Sequence, residues 1–398
     1  MLSGRDAGRQ ETKSTGVRSA HTAIVCRAVA LVLCALFLRS VARFYHPGFG
    51  FTALIGFAEG QPSEAPALRA IPHVVRPPSV SYDGQYYAQR AFDPLARDPA
   101  VDRAMDLAPY RARRILFSWT AYAAGLGRPA WILEAYALQN VVCWLLLAVL
   151  LTRWCDVRTP RGLAVWTACL FSHGLLWSVF FALLDGPSLL LIALSVVAVE
   201  RGRPLLSAAI SGIAALGRET NVLAAFAQPL PRSRRDWLRM AAAALLVVLP
   251  VLIWTDYLWS IYRSTLLADT DQLAAPGTAF VFVFVRTAKA VLGNGLLSGA
   301  GLDLSAIIAI SVQAAFIAFR RDWIQPWWRV AAGYVLLALV LNRVLWDPHT
   351  GALTRVLLPL TVGFNLQLAR ERAATRFWPW FIAGNLHLAG VFRILPLL

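Results

Sequence analysis

The apolar run AIVCRAVALVLCALFLRSVA, Ala23–Ala42, is twenty residues long and contains only two charged residues, both arginines. About twenty mostly apolar residues are what an α-helix needs to cross the hydrocarbon core of a bilayer. The triplet Ser40-Val41-Ala42 is typical of a signal-peptide cleavage site, but the long basic lead at 1–21 and Arg39 beside the triplet favour an uncleaved anchor. The run therefore predicts a first transmembrane helix that follows a disordered, basic cytoplasmic tail at 1–21.

The rest of the chain has a similar composition. Of its 398 residues, 58% are hydrophobic and 15% are charged, whereas a soluble domain is usually about a quarter charged. Ten further apolar segments lie at about 131–152, 162–183, 186–199, 204–217, 221–231, 240–258, 302–319, 325–342, 351–368 and 377–396. Those at 186–199, 204–217 and 221–231 are short for a crossing and suit tilted, broken or re-entrant helices. The sequence predicts an all-α polytopic membrane protein with about eleven transmembrane helices, in which residues 22–398 form a single transmembrane domain.

The distribution of arginine predicts an orientation. Lys13 and Lys289 are the only lysines, so arginine supplies almost all of the net charge of +16. With the N-terminus in the cytoplasm, alternate crossings put the short arginine-rich loops on the cytoplasmic side, as the positive-inside rule requires. The opposite side then receives a large extracytoplasmic loop at 43–130. Two charged apolar segments, 112–126 and 279–296, are predicted to lie in the outer interface.

Composition also excludes several classes of protein. The arginines lie between apolar segments and form no basic face on a soluble domain, so membrane lipids are predicted as partners and nucleic acid is not. The five cysteines form no Cys-X-X-Cys pair and lie within or at the ends of apolar segments. That placement excludes a disulfide framework and a zinc ribbon as organising features.

A polar and aromatic cluster interrupts the apolar pattern at SYDGQYYAQRAFDP, Ser81–Pro94. If a helix starts here, one face holds Asp83, Tyr87 and Arg90, and the neighbouring face includes Tyr82, Gln85 and Tyr86. Gly84 leaves room beside Asp83 for the close approach of a ligand. Two interpretations are open at this point. The stretch is either a binding site or an N-cap made by Asp83, with the tyrosines as an aromatic belt at the membrane interface.

Other ionisable residues fall on the predicted outer side near helix ends, where their burial is costly. They are Arg113, Arg114, Asp185, Arg218, Glu219, His349 and Arg355. Arg113 and Arg114 suit either a phosphate or lipid head groups, while Asp185 suits a plain Asp-Gly-Pro turn. Arg218 and Glu219 are predicted to pair with each other, or with Asp83 or Arg90. Mixed charge at one membrane boundary predicts an outward-facing polar cavity.

The motifs YDGQ (Tyr82–Gln85) and RRIL (Arg113–Leu116) resemble those of C-type membrane glycosyltransferases, above all bacterial cell-surface glycopolymer proteins. The segments Asp185–Ser188, Arg218–Thr220 and Arg355–Pro359 also look like features of that group. The resemblance implies an enzyme of the bacterial inner membrane. It would transfer a sugar from a polyprenyl-phosphate-linked donor to a glycan or glycolipid acceptor on the extracytoplasmic face.

For the site, the resemblance implies that Asp83 is the general base for the acceptor hydroxyl. Arg113, Arg114 and Arg218 would stabilise the leaving phosphate, and the tyrosines would stack on sugar rings. The sequence contains no nucleotide-binding motif and no clear acidic pair for a divalent metal, so no cofactor is predicted. Two alternatives stay open: a flippase for lipid-linked sugars, and a non-catalytic component of a polysaccharide export system.

Overall fold

The computed structural model describes residues 4–60, 64–267, 272–349 and 351–394. Its α-helices are α1 (Gly4–Ala42), α2 (Pro66–Arg69), α3 (Gly84–Arg90), α4 (Pro99–Asp102), α5 (Ala108–Arg113), α6 (Leu116–Ala124), α7 (Pro129–Leu151), α8 (Pro160–Leu170), α9 (His173–Phe180), α10 (Asp185–Glu200), α11 (Pro204–Ala215), α12 (Arg234–Tyr262), α13 (Thr278–Asn294), α14 (Gly299–Arg320), α15 (Pro326–Val340), α16 (Ala352–Val356), α17 (Leu358–Leu368) and α18 (Ala374–Gly384). The 3-10 helices are Thr52–Leu54, Pro78–Val80, Glu219–Ala227, Arg263–Leu267 and Leu386–Arg393.

The fold is mostly helical, with one small exception to the all-α prediction. Strands β1 (Phe57–Ala58) and β2 (Val75–Arg76) pair in parallel, with Phe57 opposite Val75. Both belong to the predicted 43–130 loop, which here contains the short helices α2 to α6. Short helices and strands therefore supply hydrogen bonds to the backbone N–H and C=O groups of this loop, which such groups require where the loop is buried against other protein.

Four helices are long and apolar enough to cross a membrane: α1 over Ala20–Ala42, α7, α12 and α14. Helices α8 and α9 make a fifth if the pair, which is bent by 45°, forms one span. These helices are those of a membrane protein. The prediction of about eleven transmembrane helices is wrong, because the described residues contain four or five helices of this kind.

The excess in the prediction comes from short apolar segments. The three segments of doubtful length form α10, with 16 residues, α11, with 12 residues, and the nine-residue 3-10 helix Glu219–Ala227. Helix α17 has 11 residues, all of them buried. A helix that is apolar all round is surrounded either by lipid or by protein, and hydropathy does not separate the two environments.

Helix α1 begins at Gly4, within the segment 1–21. That this segment is a tail distinct from the transmembrane domain stays a prediction. Its apolar part packs on α7, where the rings of Phe37 and Trp144 stack 3.7 Å apart. At the far end of α12, the indole nitrogen of Trp254 donates to the carbonyl oxygen of Ala112 at 2.9 Å. This second contact joins a membrane-span candidate to α5, the helix that carries Arg111 and Arg113.

Candidate functional site

Asp83 lies just before α3, and its side chain does not cap that helix. Its backbone is already helical (φ −56°, ψ −22°), and it makes no capping hydrogen bond. Instead, Oδ1 accepts a hydrogen bond from Nη2 of Arg111 at 3.0 Å. The Asp83 side chain is 42% exposed. The N-cap interpretation is therefore wrong, and the carboxylate is paired with an arginine while part of it stays open to solvent.

Gly84 serves backbone packing in this structure. A Cβ atom at Gly84 would overlap the carbonyl oxygen of Phe181 and lie 3.0 Å from that of Ile55. The predicted space for a ligand at Gly84 is therefore filled by protein. The same packing fixes the start of α3 and with it the position of Asp83.

Arg111, which sequence reasoning did not single out, joins several of the predicted site residues. Its guanidinium donates to both carboxylate oxygens of Asp106, at 2.9 and 2.6 Å, and to the hydroxyl oxygen of Tyr87 at 3.1 Å. Arg114 donates to the same hydroxyl oxygen at 3.3 Å. Residues three apart share a helix face, so the spacing of Arg111 and Arg114 in the sequence was the pattern that could have indicated a role for Arg111 beside Arg114. The adjacent pair of Arg113 and Arg114 was the more visible pattern.

Glu219 is the acidic partner of the end of α5. Its carboxylate accepts a hydrogen bond from Nε of Arg114 at 2.8 Å and lies 3.7 Å from Nε of Arg113. The ring of Tyr110 lies under the Arg114 guanidinium, 4.2 Å from the ring centroid to Cζ. These contacts link residues that are 105 positions apart in the chain.

Asp185 starts α10 and holds two arginines. Its side chain is only 3% exposed and forms ion pairs with Arg218 and, at 3.1 Å, with Nη1 of Arg355. Nη2 of Arg355 also donates to the hydroxyl oxygen of Tyr82 at 2.7 Å. Asp185 is thus more than a turn residue. The predicted pairing of Arg218 and Glu219 with each other, or with Asp83 or Arg90, is wrong, because packing brings Arg218 to Asp185, and Glu219 to Arg113 and Arg114.

Two buried polar side chains hold the backbone around Asp185. Asn140 of α7 donates to the carbonyl oxygen of Leu183 at 2.6 Å. The hydroxyl of Ser178 accepts a hydrogen bond from the amide of Gly186 at 2.9 Å. Asp185 is therefore fixed from both sides by groups that are themselves buried, as a buried carboxylate requires.

Three sets of ion pairs, around Arg111, Glu219 and Asp185, form one group through hydrogen bonds to tyrosines, and we call this group the arginine–carboxylate cluster. It contains five arginines and four carboxylates, so that one positive charge is in excess: Arg111, Arg113, Arg114, Arg218, Arg355, Asp83, Asp106, Asp185 and Glu219. The Tyr87 hydroxyl accepts from both Arg111 and Arg114, and the hydroxyl of Tyr82, the neighbour of Asp83 in the chain, accepts from Arg355. The predicted outer residues other than His349 thus converge, and the excess charge favours an anionic ligand.

Burial and the neighbouring arginines have opposite effects on the pKa of Asp83. Burial alone would raise the pKa of Asp83, but the charge and hydrogen bond of Arg111, with the charges of Arg355 and Arg114, hold that pKa below its ordinary value. Burial and the like charges of Arg114 and Arg355 lower the pKa of Arg218 to about 10. Asp83 is therefore ionised at neutral pH, and Arg218, which is paired with Asp185, stays protonated.

Several donors of the cluster lack a full set of acceptors. Among the described residues, the buried Nε atoms of Arg113, Arg218 and Arg355 have no hydrogen-bond partner. Beside Asp185, a cavity of about 10 Å³ has room for roughly one water molecule. The carboxylates open to a larger ligand are those of Asp83, Glu219 and Asp106, whose side chains are 42%, 38% and 35% exposed, whereas Asp185 is closed to it.

The remaining predicted site residues have other surroundings. Gln85 is buried and accepts a hydrogen bond from the amide of Ala58 at 3.2 Å. Arg90 is fully buried and donates to Asp93 and Asp102. These placements favour structural roles for Gln85 and Arg90.

Tyr86 is half-buried with its ring centroid 4.6 Å from the Arg111 guanidinium carbon, whereas Tyr87 is buried and offers no ring face for stacking. His349 is exposed, and its amide donates to Asp347. His349 is therefore an exposed loop residue, and its hydrogen bond to Asp347 lies outside the arginine–carboxylate cluster.

Within the described parts of the chain, no three histidine, cysteine or acidic side chains come together in a way that could hold a metal ion. Comparisons with protein families, with curated proteins and with solved structures find no match. The resemblance to C-type membrane glycosyltransferases is therefore a hypothesis that rests on the quoted motifs, and the geometry of the cluster is the independent ground for a function.

Proposed function

We propose that the protein is an integral-membrane glycosyltransferase. It takes a sugar from a polyprenyl-phosphate-linked donor and transfers it to a cell-surface glycan or glycolipid acceptor. In this proposal the protein lies in the bacterial inner membrane with its N-terminus in the cytoplasm and the arginine–carboxylate cluster on the extracytoplasmic side.

One observation carries the proposal: a solvent-accessible carboxylate, Asp83, lies within a group of arginines whose charge it does not fully neutralise. Transfer of a sugar from a lipid phosphate needs these two functions together. A carboxylate accepts the proton of the attacking hydroxyl, and fixed cations stabilise the charge on the departing phosphate.

Sugar transfer forms one bond at the anomeric carbon and breaks another. The acceptor hydroxyl oxygen attacks this carbon and forms the new glycosidic bond, while the bond from the carbon to the phosphate oxygen breaks. The hydroxyl proton goes to Asp83, and the electron pair of the broken bond stays on the lipid phosphate. In this scheme the arginines of the cluster stabilise the phosphate, and Arg113, whose side chain is 19% exposed and whose Nε has no hydrogen-bond partner, is the most accessible of those with an unused donor.

Arg111 has a defined part in this scheme. Its hydrogen bond keeps Asp83 ionised and therefore ready to accept a proton, but it also lowers the pKa and the basicity of the carboxylate. A bound phosphate competes for the positive charge around Asp83. The pKa of Asp83 is then expected to rise on donor binding, towards a value better suited to a base.

The test compares wild type with Asp83→Asn and Asp106→Asn in membranes that carry the native acceptor glycan. Asp106 is a matched control, because it binds the same arginine. With labelled polyprenyl-phosphate sugars as donors, Asp83→Asn is expected to lower transfer by about 10²–10⁴-fold, and Asp106→Asn much less. Equal transfer by wild type and Asp83→Asn would contradict the role of Asp83 as the base.

A second candidate is a non-catalytic component of a polysaccharide export system. It is favoured by one observation, that each carboxylate of the cluster is already ion-paired and the cluster could simply hold the short helices together. For that function, Asp83→Asn should leave polysaccharide export intact in cells. The flippase alternative predicts loss of transport of the lipid-linked sugar with no sugar transfer by the purified protein.

A further inference from the structure

A groove unrelated to the arginine–carboxylate cluster lies between α12, α14 and α15. It has two adjoining sections that share Met240, Trp323 and Arg329. The first section has a volume of about 570 Å³ and apolar walls, formed among others by Val247 of α12 and Leu336 of α15. The second, the charged section, has a volume of about 670 Å³, and five of its sixteen lining residues are charged. We call the two together the α12–α14 groove.

The groove has a defined depth in the membrane. Its charged section lies where α12 begins and α14 ends, so the ends of two membrane-span candidates meet there at one membrane surface. The apolar section follows α12 from Met240 to Val247, which at 1.5 Å per residue is about 10 Å into the bilayer. An apolar slot thus opens from the level of the head groups towards the level of the hydrocarbon chains.

The charges at the mouth are mainly positive. Arg232 and Arg239 line the charged section, and Arg321 lines the adjoining end of the apolar section. Of the two acids of the charged section, Glu200 pairs with Arg153 at 2.9 Å. Asp236 accepts from Ser233 at the start of α12 and lies 3.9 Å from Arg239, so it partly neutralises that arginine.

Arg329 adds a buried cation that no acid neutralises. Its guanidinium donates to the backbone carbonyl oxygens of Phe226, Ala227, Trp323 and Ile324. Within the described residues, no ion pair is formed by Arg232, Arg321 or Arg329. The mouth of the groove therefore presents uncompensated positive charge.

From this arrangement we propose that the α12–α14 groove binds an anionic phospholipid of the bilayer, with one acyl chain in the apolar section and the phosphate at the arginines. Basic pockets between membrane helices at the level of the head groups are typical sites for anionic lipids. The volume of the apolar section lies in the range of about 300–1,000 Å³ that is usual for ligand pockets.

This site is separate from the proposed sugar-transfer site. Trp254 marks the part of α12 that contacts α5, the helix that carries Arg111 and Arg113. It lies fourteen residues beyond Met240, which is about 21 Å along a helix. The lipid proposal therefore stands or falls independently of the proposed glycosyl transfer.

The experiment uses the full chain in nanodiscs of phosphatidylcholine with phosphatidylglycerol as the anionic probe, and counts retained lipids by native mass spectrometry. The double variant Arg232→Gln/Arg321→Gln is expected to retain phosphatidylglycerol about tenfold less. The control, Arg234→Gln/Arg235→Gln, removes two exposed charges of the same segment that do not line the groove, and should behave as wild type.

A second pair of variants tests the apolar section. Ala244 is exposed and lines the groove, so Ala244→Trp should fill it and displace the lipid, whereas Ala242→Trp at an exposed position outside the groove should not. Both carry the same bulky side chain, so a general effect of tryptophan is excluded.

Three results would overturn the proposal. They are unchanged phosphatidylglycerol retention in both groove variants, equal retention of phosphatidylcholine by wild type, and complete displacement of phosphatidylglycerol by an equal amount of polyprenyl phosphate. The last would identify a different lipid as the occupant.

Discussion

Asp83 and Arg111 are 28 residues apart in the chain, and Arg111 Nη2 lies 3.0 Å from Asp83 Oδ1. The arginine belongs to α5 and the carboxylate precedes α3, so this hydrogen bond joins two short helices of the segment between α1 and α7. The same guanidinium binds Asp106 through two nitrogens and donates to Tyr87. One arginine thus sets both the position and the protonation of the proposed base.

Arg111→Lys should be poorly tolerated, because a lysine cannot reproduce the planar fork that binds Asp106 through two nitrogens while also reaching Asp83 and Tyr87. We expect transfer from a polyprenyl-phosphate donor to fall by roughly 10–100-fold, with a displaced Asp83 as the cause. Arg128→Lys, at an exposed position of the same segment, is the matched control. Initial rates measured for all three proteins check this, and an Arg111→Lys rate equal to that of wild type would contradict it.

Asp185→Asn should lower the free energy of unfolding by about 3–5 kcal/mol, because it leaves the buried charges of Arg218 and Arg355 without their carboxylate. The control is Asp156→Asn, which breaks an ion pair between side chains that are 50% and 57% exposed, where little change is expected. Unfolding by sodium dodecyl sulfate in mixed micelles measures both. Similar values for the two variants would show that the Asp185 pairs add no stability.

The contribution of Glu219 to stability should depend on pH in the acid range. Burial would raise its pKa, but Arg114 and Arg113 outweigh burial and hold the pKa below the ordinary 4.5. Such a carboxylate stabilises the fold fully above its unfolded-state pKa, and the stabilisation is lost as the pH falls through the lower folded-state pKa. Melting temperatures of wild type and Glu219→Gln should therefore differ at pH 7 and converge below about pH 4.5. A constant difference down to about pH 3 would exclude this linkage.

Gly84→Ala should destabilise the protein by about 1–3 kcal/mol, since its methyl group would overlap the carbonyl oxygen of Phe181. The displacement of α3 should also move Asp83 and lower transfer. Gly293→Ala is the control, because a Cβ atom there meets nothing within 4 Å. Thermal unfolding and transfer rates are measured together. A Gly84→Ala variant as stable as wild type would show that the backbones of α3 and Phe181 can separate without cost.

Much of the helical architecture was predictable from local patterns. The long apolar segments near 131–152, 240–258 and 302–319 form α7, α12 and α14, and the charged apolar segment 279–296 forms α13. Hydropathy and helical periodicity depend only on neighbouring residues, so the sequence is sufficient for them. The number of spans was not predictable in this way. Helices α10, α11 and α17 are apolar because other protein segments cover many of their residues, and their hydropathy resembles that of helices in contact with lipid.

For the candidate site, the sequence by itself determined which residues carry charge and that they lie at the ends of apolar segments. Only the tertiary structure decided which of them pair, since Asp185 meets Arg355 across 170 positions and Arg114 meets Glu219 across 105. It also brought Arg111 into the centre of the cluster and kept Arg90 and His349 apart from its ion pairs. The physical reason is that an ion pair forms over a few ångströms of space, and helix packing alone fixes those distances.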